Sequence, residues 1–326
     1  MRATIIGLLL LSSLTLGAQE GQAFFSAGWW NVENLFDTRN DSLTLDDDFT
    51  PEGSYHWTRN KFETKRNGIY KTLLLMDLPD VVGLAEVENS YVLRELCQAT
   101  PLRQAHYTYV HYDSPDRRGI DVALLYRTDR FTVATSRPIC VSDSTVGFFT
   151  RDILLVEGNT LAGDTLALLL NHWPSKRGGA TAELHRKRIA LTLRHLMDSL
   201  HTAHPAAIVL AMGDFNATTD EEVLSTHFGL GDSCRNAEGV VDLVCQLPKN
   251  WGSYKYQGQW DYIDHLLLRL PDGSSIRADA DLIRLDHLLS DELHRPGQRP
   301  HRTYQGPKYL GGLSDHLPLL LQLQHP

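Results

Sequence analysis

The stretch Met212-Gly213-Asp214-Phe215-Asn216 follows an apolar run at residues 206–211, Ala-Ala-Ile-Val-Leu-Ala. A short apolar run that contains β-branched residues and ends in turn formers predicts a buried β-strand. Asp214 and Asn216 therefore emerge together where this strand stops, and side chains two positions apart in an extended chain point the same way. Such an acid and amide can move a proton and hold an oxyanion at one point in space.

Several other apolar runs also begin or end in polar residues. These residues are Asn31 in an aromatic run, Glu86 and His172 after apolar runs, and Asp264, Asp315 and His316 before them. A carboxylate at the end of a buried strand is costly to desolvate unless it meets a cation. Glu86, which directly follows the apolar run, is therefore a better metal-ligand candidate than Glu88.

Histidines and basic turns supply positive charge that can pair with these carboxylates or with phosphate. His316 needs a carboxylate that fixes its tautomer and keeps it protonated near neutral pH, and Asp264 is the candidate, which leaves Asp315 for a metal. His172 is placed to donate to a phosphoryl oxygen, although an isolated histidine is more often structural. Arg118 and Lys176 lie in basic turns that can bind phosphate, although such turns are usually only solvated.

Three intervening segments contain no predicted catalytic or metal-binding residue. Helical spacing of apolar residues predicts amphipathic helices over Trp57–Met76 and Ala180–Leu200, with Lys65 on the polar face of the first. Residues Asn40–Pro51 contain Asp46-Asp47-Asp48 and are predicted to form a solvated acidic loop without a metal site.

The N-terminus indicates export. Residues 1–23 combine Arg2, an apolar segment and small residues, a pattern more typical of a signal peptide than of a membrane anchor. No later stretch is long and apolar enough to span a bilayer, so we expect a secreted or periplasmic protein. Residues 24–326 contain no linker or repeat and are predicted to form one domain.

Charge and cysteine content narrow the function classes. A net charge of −9 argues against a protein that coats polyanions, but it allows a phosphate enzyme whose acids gather around a cation. The four cysteines suit an oxidising compartment and lack the spacing of a metal site. Cys234 and Cys245 are interpreted either as a disulfide that closes a loop or as two buried thiols.

The ordered motifs resemble the endonuclease/exonuclease/phosphatase superfamily, the DNase I-like fold. They are Trp-Asn-Val-Glu-Asn at 30–34, Glu86, Arg-Gly-Ile-Asp at 118–121, Asn-His-Trp-Pro at 171–174, Gly-Asp-Phe-Asn at 213–216, Ile-Asp-His at 263–265 and Ser-Asp-His at 314–316. The resemblance covers nearly all of residues 24–326 and is greatest to exported bacterial members. It implies a four-layer α/β/β/α sandwich, in which two packed mixed β-sheets are flanked by helices.

The resemblance also implies a role for each motif residue. Glu86 would be the principal ligand of Mg²⁺ (or Ca²⁺ or Mn²⁺), with Asn31 and Asp315 nearby. His316, oriented by Asp264, would contact the scissile phosphate. Asp214 would orient the attacking water or transfer a proton, and Asn216 would position the phosphate. His172 would be the second histidine of the site, with Asp121 suggested as its supporting acid. Substrate would be bound by Arg118, Asn216 and Lys176.

These roles imply metal-dependent phosphodiester hydrolysis, and the leading prediction is an extracellular nuclease that acts on DNA or RNA. Its expected basic rim consists of Arg59, Lys65, Arg117, Arg118, Lys176 and Arg177. The alternative is a phosphoesterase or phosphatase for lipid or inositol phosphates, similar to a sphingomyelinase. A non-catalytic binding protein on the same fold is disfavoured, because Glu86, Asp214 and His316 are all present. We expect a monomer without a stable protein partner.

Overall fold

The computed structural model describes residues 23–292 and 295–326, so the predicted signal segment lies outside the described residues except for its last position. The described part of the chain contains three α-helices: α1 (Arg59–Leu75), α2 (Ser90–Gln98) and α3 (Gly179–Ala203). None of its helices is long and apolar enough to cross a membrane.

Most of the strands belong to two mixed sheets of six strands each. The strands, in chain order, are β1 (Phe25–Leu35), β2 (Val81–Val87), β3 (Tyr107–His111), β4 (Asp121–Arg127), β5 (Phe131–Ile139), β6 (Ile153–Thr160), β7 (Thr165–His172), β8 (Ile208–Asp214), β9 (Val241–Asp242), β10 (Tyr254–Tyr256), β11 (Gln259–Asp261), β12 (Asp264–Arg269), β13 (Arg277–Leu282), β14 (Leu289–Asp291), β15 (Gln298–Pro300), β16 (Tyr304–Gln305), β17 (Lys308–Tyr309) and β18 (Leu319–Gln324).

The first sheet has the order β13-β18-β1-β2-β4-β3, and the second has the order β5-β6-β7-β8-β12-β9. Six short strands form three separate two-stranded ribbons, β10-β11, β14-β15 and β16-β17. The central pairs β1-β2 and β7-β8 are parallel, whereas β12 runs antiparallel to β8. Because parallel strands end at the same sheet edge, the polar residues that follow each pair are brought together.

The two sheets pack face to face, and helices cover their outer faces. Leu84 of β2, Leu168 of β7 and Leu210 of β8 belong to the same buried core, which also receives Phe62 and Ile69 of α1. A second core lies between the outer face of the second sheet and α3. The predicted α/β/β/α sandwich is therefore confirmed, since apolar residues on both faces of a strand require a cover on both sides.

The predicted surface position is wrong for Lys65 and for Asp46, whereas Asp47, Asp48 and most of the acidic loop around them are exposed as predicted. Lys65 is 1% exposed, and its ammonium donates to the carbonyl of Glu33 and the hydroxyl of Thr303. Asp46, in the segment predicted to be a solvated loop, is also 1% exposed. Lys65 is covered by Thr303, which is distant in sequence, and Asp46 is covered where its own loop folds back onto it through Asp41. Helix spacing and local composition do not reveal either kind of burial.

Cys234 and Cys245 form a disulfide with their Cα atoms 6.3 Å apart, which resolves the alternative that the sequence leaves open. Cys97 is a buried free thiol and Cys140 an exposed one. The disulfide joins positions eleven residues apart, so it restricts the unfolded chain only over a short loop.

Removal of this disulfide is expected to lower stability moderately. Replacing Cys234 and Cys245 together by Ser should reduce the free energy of unfolding by about 2–3 kcal/mol, because the unfolded state regains the freedom of that loop. Urea unfolding with and without reductant measures the change, and Cys140→Ser provides a control that should leave stability unchanged. Equal unfolding midpoints for the oxidised and reduced wild type would contradict the prediction.

Candidate active site

Three candidate residues of the second sheet meet at one sheet edge because of strand register. His172 at the end of β7 pairs in register with Asp214 at the end of the parallel strand β8. Asp264, the first residue of β12, pairs with Asp214 from the other side. The strand ends predicted from the sequence to be polar are thus adjacent, with Asp214 between the other two.

Gly213 allows β7 and β8 to approach each other closely before the site. A Cβ atom at this position would lie 2.5 Å from the carbonyl oxygen of Asn171 and 2.6 Å from its Cβ. Contacts of this length do not occur without displacement of the backbone. The glycine that precedes Asp214 is therefore required by packing, and a side chain there would shift His172 relative to Asp214.

The first sheet contributes Asn31 of β1 and Glu86 of β2, which face the second sheet across the core edge. The amide nitrogen of Asn31 donates to Asp214 Oδ2 at 3.0 Å and to Glu86 Oε1 at 3.4 Å. Asn31 Oδ1 accepts from the backbone N–H of Glu33 at 2.9 Å. In this orientation Asn31 bridges the two carboxylates as a donor, so metal coordination through its oxygen stays a prediction.

His316 and Asp264 form a buried pair, with Asp264 Oδ2 2.6 Å from His316 Nδ1. Trp29 Nε1 donates to Asp264 Oδ1 at 2.8 Å, so the carboxylate oxygen that does not contact His316 is also held. Burial disfavours the imidazolium, but the charges of Asp264 and Asp214 outweigh it and raise the pKa of His316 well above its usual value. His316 is therefore a cation at neutral pH, and its Nε2 lies 3.7 Å from Asp214 Oδ2.

His172 is neutral at the pH where His316 is a cation. Burial, followed by the positive charges of Arg151, Arg118 and His316, lowers the pKa of its imidazole well below the usual value. Its Nε2 lies 3.6 Å from Asp214 Oδ2 and 3.9 Å from Glu86 Oε1. A neutral histidine and a charged histidine thus stand on two sides of one carboxylate, which separates their chemical roles.

The suggestion that Asp121 supports His172 is wrong. Asp121 Oδ2 lies 3.0 Å from Nε2 of His111, and the two residues belong to the adjacent strands β4 and β3. His172 Nδ1 is buried and has no hydrogen-bond partner among the described residues. The acid nearest to the other nitrogen of His172 is Asp214, whose Oδ2 lies 3.6 Å from Nε2.

Asp214 has an unusual protonation equilibrium for an aspartate. Burial is the largest cause that raises its pKa, and the charge of Asp264 adds to it, whereas His316 and the hydrogen bond from Asn31 lower it, for a net value of about 7. The backbone N–H of Asn216 donates to Asp214 Oδ1 at 2.9 Å. A carboxyl group that titrates near neutrality can both accept and deliver a proton.

Glu86 occupies a strained backbone position at the rim of the site. Its φ of 62° lies in the left-handed region, and the pairing of β2 with β4 shifts register around it. Glu86 Oε2 accepts from the backbone N–H of Asn34 at 2.9 Å and lies 3.8 Å from Arg118. Strain in a non-glycine residue is tolerated where the side chain must be aimed at a particular point.

The residues at this rim fit a hard divalent cation. Glu86 and Asp214 place two carboxylates around one amide, Asn31, and their oxygen donors are those that Mg²⁺ and Ca²⁺ prefer. By contrast, the tight group of Asp214, Asp264 and His316 is already satisfied by the short bond within it. The predicted role of Glu86 therefore agrees with the donor set, whereas Asp264 and His316 form a hydrogen-bonded pair.

The other predicted residues, Asp315, Asn216 and Lys176, each bond to a different neighbour. Asp315 Oδ2 pairs with Arg302 at 2.8 Å, and Asp315 Oδ1 lies 4.0 Å from His316 Nε2, so its metal role stays a prediction. Asn216, with φ of 50°, donates from its amide to the carbonyl of Trp173 at 3.0 Å beside the site. Lys176 is half exposed and pairs with Glu221.

Four residues that support the site were not singled out from the sequence. Trp29 holds Asp264, Ser314 Oγ donates to the carbonyl of Asn31 at 2.6 Å, and Arg302 bridges Asp315 to Glu33. Tyr254 places its ring centroid 5.0 Å from that of His316. Only Ser314 had a sequence signal, since it begins the Ser-Asp-His motif, while the others are brought in by long-range packing.

A two-sheet α/β sandwich with acids, amides and histidines at one edge defines the DNase I-like class of proteins. The chain belongs to the Endonuclease/Exonuclease/phosphatase family, which it matches over residues 26–325. This superfamily comprises metal-dependent phosphodiesterases and phosphatases, so the prediction that the chain belongs to a phosphoester hydrolase superfamily is confirmed. No curated protein matches the chain in sequence.

Solved structures share the fold at low sequence identity. A humanized TDP2 from D. rerio is 19% identical, with a TM-score of 0.58, and the alignment covers 92% of this chain and 98% of that one. A mannosyl-6-phosphatase from Bacteroides thetaiotaomicron is 16% identical, with a TM-score of 0.58 and coverages of 92% and 99%. The human Nocturnin catalytic domain is 16% identical, with a TM-score of 0.56 and coverages of 94% and 96%. At these identities the likeness shows the fold alone.

Proposed function

We propose that this protein is a metal-dependent phosphodiester hydrolase that cleaves nucleic acid by attack of water on phosphorus. The observation that carries this proposal is the arrangement around Asp214 Oδ2. This oxygen accepts from Asn31 at 3.0 Å and has the Nε2 atoms of His172 and His316 at 3.6 and 3.7 Å. One carboxylate thus shares a small space with a neutral imidazole, an imidazolium and an amide.

Each group has a distinct task in hydrolysis at phosphorus. His316, held as a cation by Asp264, donates a hydrogen bond to a non-bridging phosphoryl oxygen and stabilises the negative charge that develops there. His172, which is neutral, donates a second hydrogen bond from Nε2. Asp214 accepts a proton from the attacking water or delivers one to the leaving oxygen, and its pKa near 7 suits either direction.

Glu86, with Asn31 and Asp315 nearby, would hold Mg²⁺, or Ca²⁺ or Mn²⁺ in its place. Bound there, the cation would neutralise charge on the transferring phosphoryl group. Arg118 lies 3.8 Å from Glu86, is half exposed, and is bonded to Asn34 at 2.6 Å. The guanidinium is therefore positioned to contact a second phosphate oxygen at the same rim.

Chelation of metal is expected to abolish activity. Because several kcal/mol of charge stabilisation would be lost, hydrolysis should fall at least about a hundredfold in EDTA and recover on addition of excess Mg²⁺. Glu86→Gln should lose activity to a similar extent and recover only weakly at high Mg²⁺. Rates of phosphodiester hydrolysis measure both effects, and Glu52→Gln, at an exposed position, is the control. Full activity of the wild type in EDTA would contradict the prediction.

The predicted basic rim is only partly present, which bears on the substrate. Lys65 is buried, Arg59 pairs with Glu63 and Glu95 at 2.6 Å each, and Lys176 pairs with Glu221. The remaining rim residues, Arg117, Arg118 and Arg177, are exposed. Three guanidinium groups in an acidic body can contact a few phosphates of a strand but cannot coat a long duplex.

This reduced rim favours a second candidate function, hydrolysis of a small phosphate ester such as a sugar, inositol or lipid phosphate. A small ester needs only one or two cations beside the catalytic groups, and the three exposed guanidinium groups suffice for it. The likeness to a mannosyl-6-phosphatase extends to the fold and leaves the substrate open.

A side-by-side assay separates the two candidates. Plasmid DNA, RNA, sphingomyelin and an inositol phosphate would be offered to the purified protein with Mg²⁺, Ca²⁺ or Mn²⁺, and with EDTA as the blank. Metal-dependent cleavage of nucleic acid would support the first candidate, and cleavage of only the lipid or sugar phosphate would support the second. Inactivity on all four would favour a non-catalytic binding protein.

We further propose that the protein is exported and acts as a monomer without a stable protein partner. The apolar segment at residues 1–23 has the form of a signal peptide. The disulfide between Cys234 and Cys245 supports an oxidising compartment, because such bonds are rare in the cytosol of mesophiles. Mass spectrometry of the mature N-terminus and light scattering of the purified protein test these two points.

A further inference from the structure

A second group of carboxylates is formed by residues outside the candidate active site. Asp41 and Asp46 belong to the segment after β1, and Glu88 follows β2. Each of the three offers a carboxylate oxygen, and the three oxygens all lie within 4.8 Å of one another. This group, the Asp46 cluster, contains none of the residues assigned to catalysis.

Two oxygens of the Asp46 cluster are buried and unsatisfied. Asp46 Oδ2 accepts from the backbone N–H of Asp41 at 3.0 Å, and Glu88 Oε2 accepts from the backbone N–H of Asp37. The other oxygen of each group, Asp46 Oδ1 and Glu88 Oε1, has no hydrogen-bond partner among the described residues. Asp46 and Glu88 are 1% and 6% exposed, so water does not satisfy these atoms freely.

The cluster brings three carboxyl groups together, and the hydrogen bonds that Asp46 and Glu88 accept come from backbone N–H groups. Buried carboxylates that lack a positive partner are costly unless a metal ion compensates them.

We propose that Asp41, Asp46 and Glu88 bind a structural Ca²⁺ ion, separate from the catalytic metal. Ca²⁺ binds oxygen ligands at about 2.3–2.6 Å, so two ligands of one ion lie within about 5 Å of each other, and the oxygens of this cluster meet that limit. Mg²⁺ is usually bound through only one or two carboxylates, so a group of three carboxylates favours Ca²⁺. Asp41 is exposed, which leaves room for water in the remaining coordination positions.

The position of the site gives the ion a structural consequence. Asn34 donates its backbone N–H to Glu86, and Asp37, three residues later, donates its backbone N–H to Glu88. The segment after β1 is thus bonded to both glutamates that end β2. An ion that joins Asp41 and Asp46 to Glu88 fixes this segment against the strand end that carries Glu86.

Thermal unfolding of metal-free protein under Ca²⁺ titration tests the proposal. Glu86→Gln, which lacks the principal ligand of the catalytic metal, is expected to retain a rise in Tm of about 5 °C at ~100 times the Kd for Ca²⁺. Asp46→Asn in the same Glu86→Gln background should lose this rise, as should Glu88→Gln. Glu52→Gln, which changes an exposed acid of the neighbouring segment, should keep it.

The stability of the variants in chelator distinguishes ion binding from a purely structural role. Without Ca²⁺, Asp46→Asn should have a Tm equal to or above that of its parent, because the amide removes one buried charge and can still accept from Asp41. A lower Tm in EGTA that Ca²⁺ does not change would mean that Asp46 serves only as a backbone acceptor, and it would overturn the proposal. An undiminished Ca²⁺ response in Asp46→Asn, or no response in Glu86→Gln, would overturn it as well.

Discussion

Asp214→Asn is expected to lower kcat between about a hundredfold and about ten-thousandfold, with a much smaller effect on KM. The side chain keeps its shape and can still accept from Asn216, but it loses the proton acceptor that stands between the two histidines. Losses of this size are typical when the general acid or base of an enzyme is removed. Steady-state rates of phosphodiester hydrolysis at saturating Mg²⁺ measure the effect.

Stability provides the control for this variant. The folded-state pKa of Asp214 is raised to about 7 from its ordinary value of 3.8, so its ionisation costs stability as the pH rises between those values. Above pH 7 the wild type bears that cost in full, whereas the Asp214→Asn variant does not. The metal-free variant at pH 8 should therefore be at least as stable as the wild type while it is nearly inactive. An active variant would exclude Asp214 from proton transfer.

The sequence identified this site because strand ends leave a local signal. Asp214, Glu86 and His172 each follow an apolar run, and a polar residue at such a position is expected at a sheet edge. What the sequence did not provide was strand order. The parallel pairing of β7 with β8 and the antiparallel pairing of β8 with β12 bring the side chains together, and both pairings follow from packing between distant segments.

The incorrect predictions share this dependence on distant contacts. The sequence suggests Asp121 as the acid beside His172, but the order β2-β4-β3 places it beside His111. Helical spacing predicts an exposed Lys65, but Thr303 covers it from a segment more than two hundred residues away. Helical spacing shows which side of a helix is apolar and does not show which loop covers the polar side.

Substitution in the pair of Asp264 and His316 is expected to cause the second large loss of activity. Asp264→Asn is expected to lower kcat by about a hundredfold to ten-thousandfold at pH 8, since a neutral amide neither holds the charge of His316 nor fixes its tautomer. In the wild type, the raised pKa keeps His316 protonated through neutral pH. In the variant that pKa falls, so the protonated fraction is lost at lower pH and the deficit in kcat should be smaller at pH 5.5 than at pH 8.

A matched pair elsewhere in the chain shows whether this loss is specific. Asp242 Oδ2 lies 2.8 Å from His265 Nδ1, and both side chains are fully buried. Burial lowers the pKa of His265, but the charge of Asp242 outweighs this effect, so the pKa is raised. Asp242→Asn therefore breaks the same kind of pair, at the histidine that directly follows Asp264 but outside the site. It should lower Tm as much as Asp264→Asn and change kcat by no more than a few-fold, with an unchanged pH profile. Equal losses of kcat in the two variants would mean that Asp264 acts through folding and not through His316.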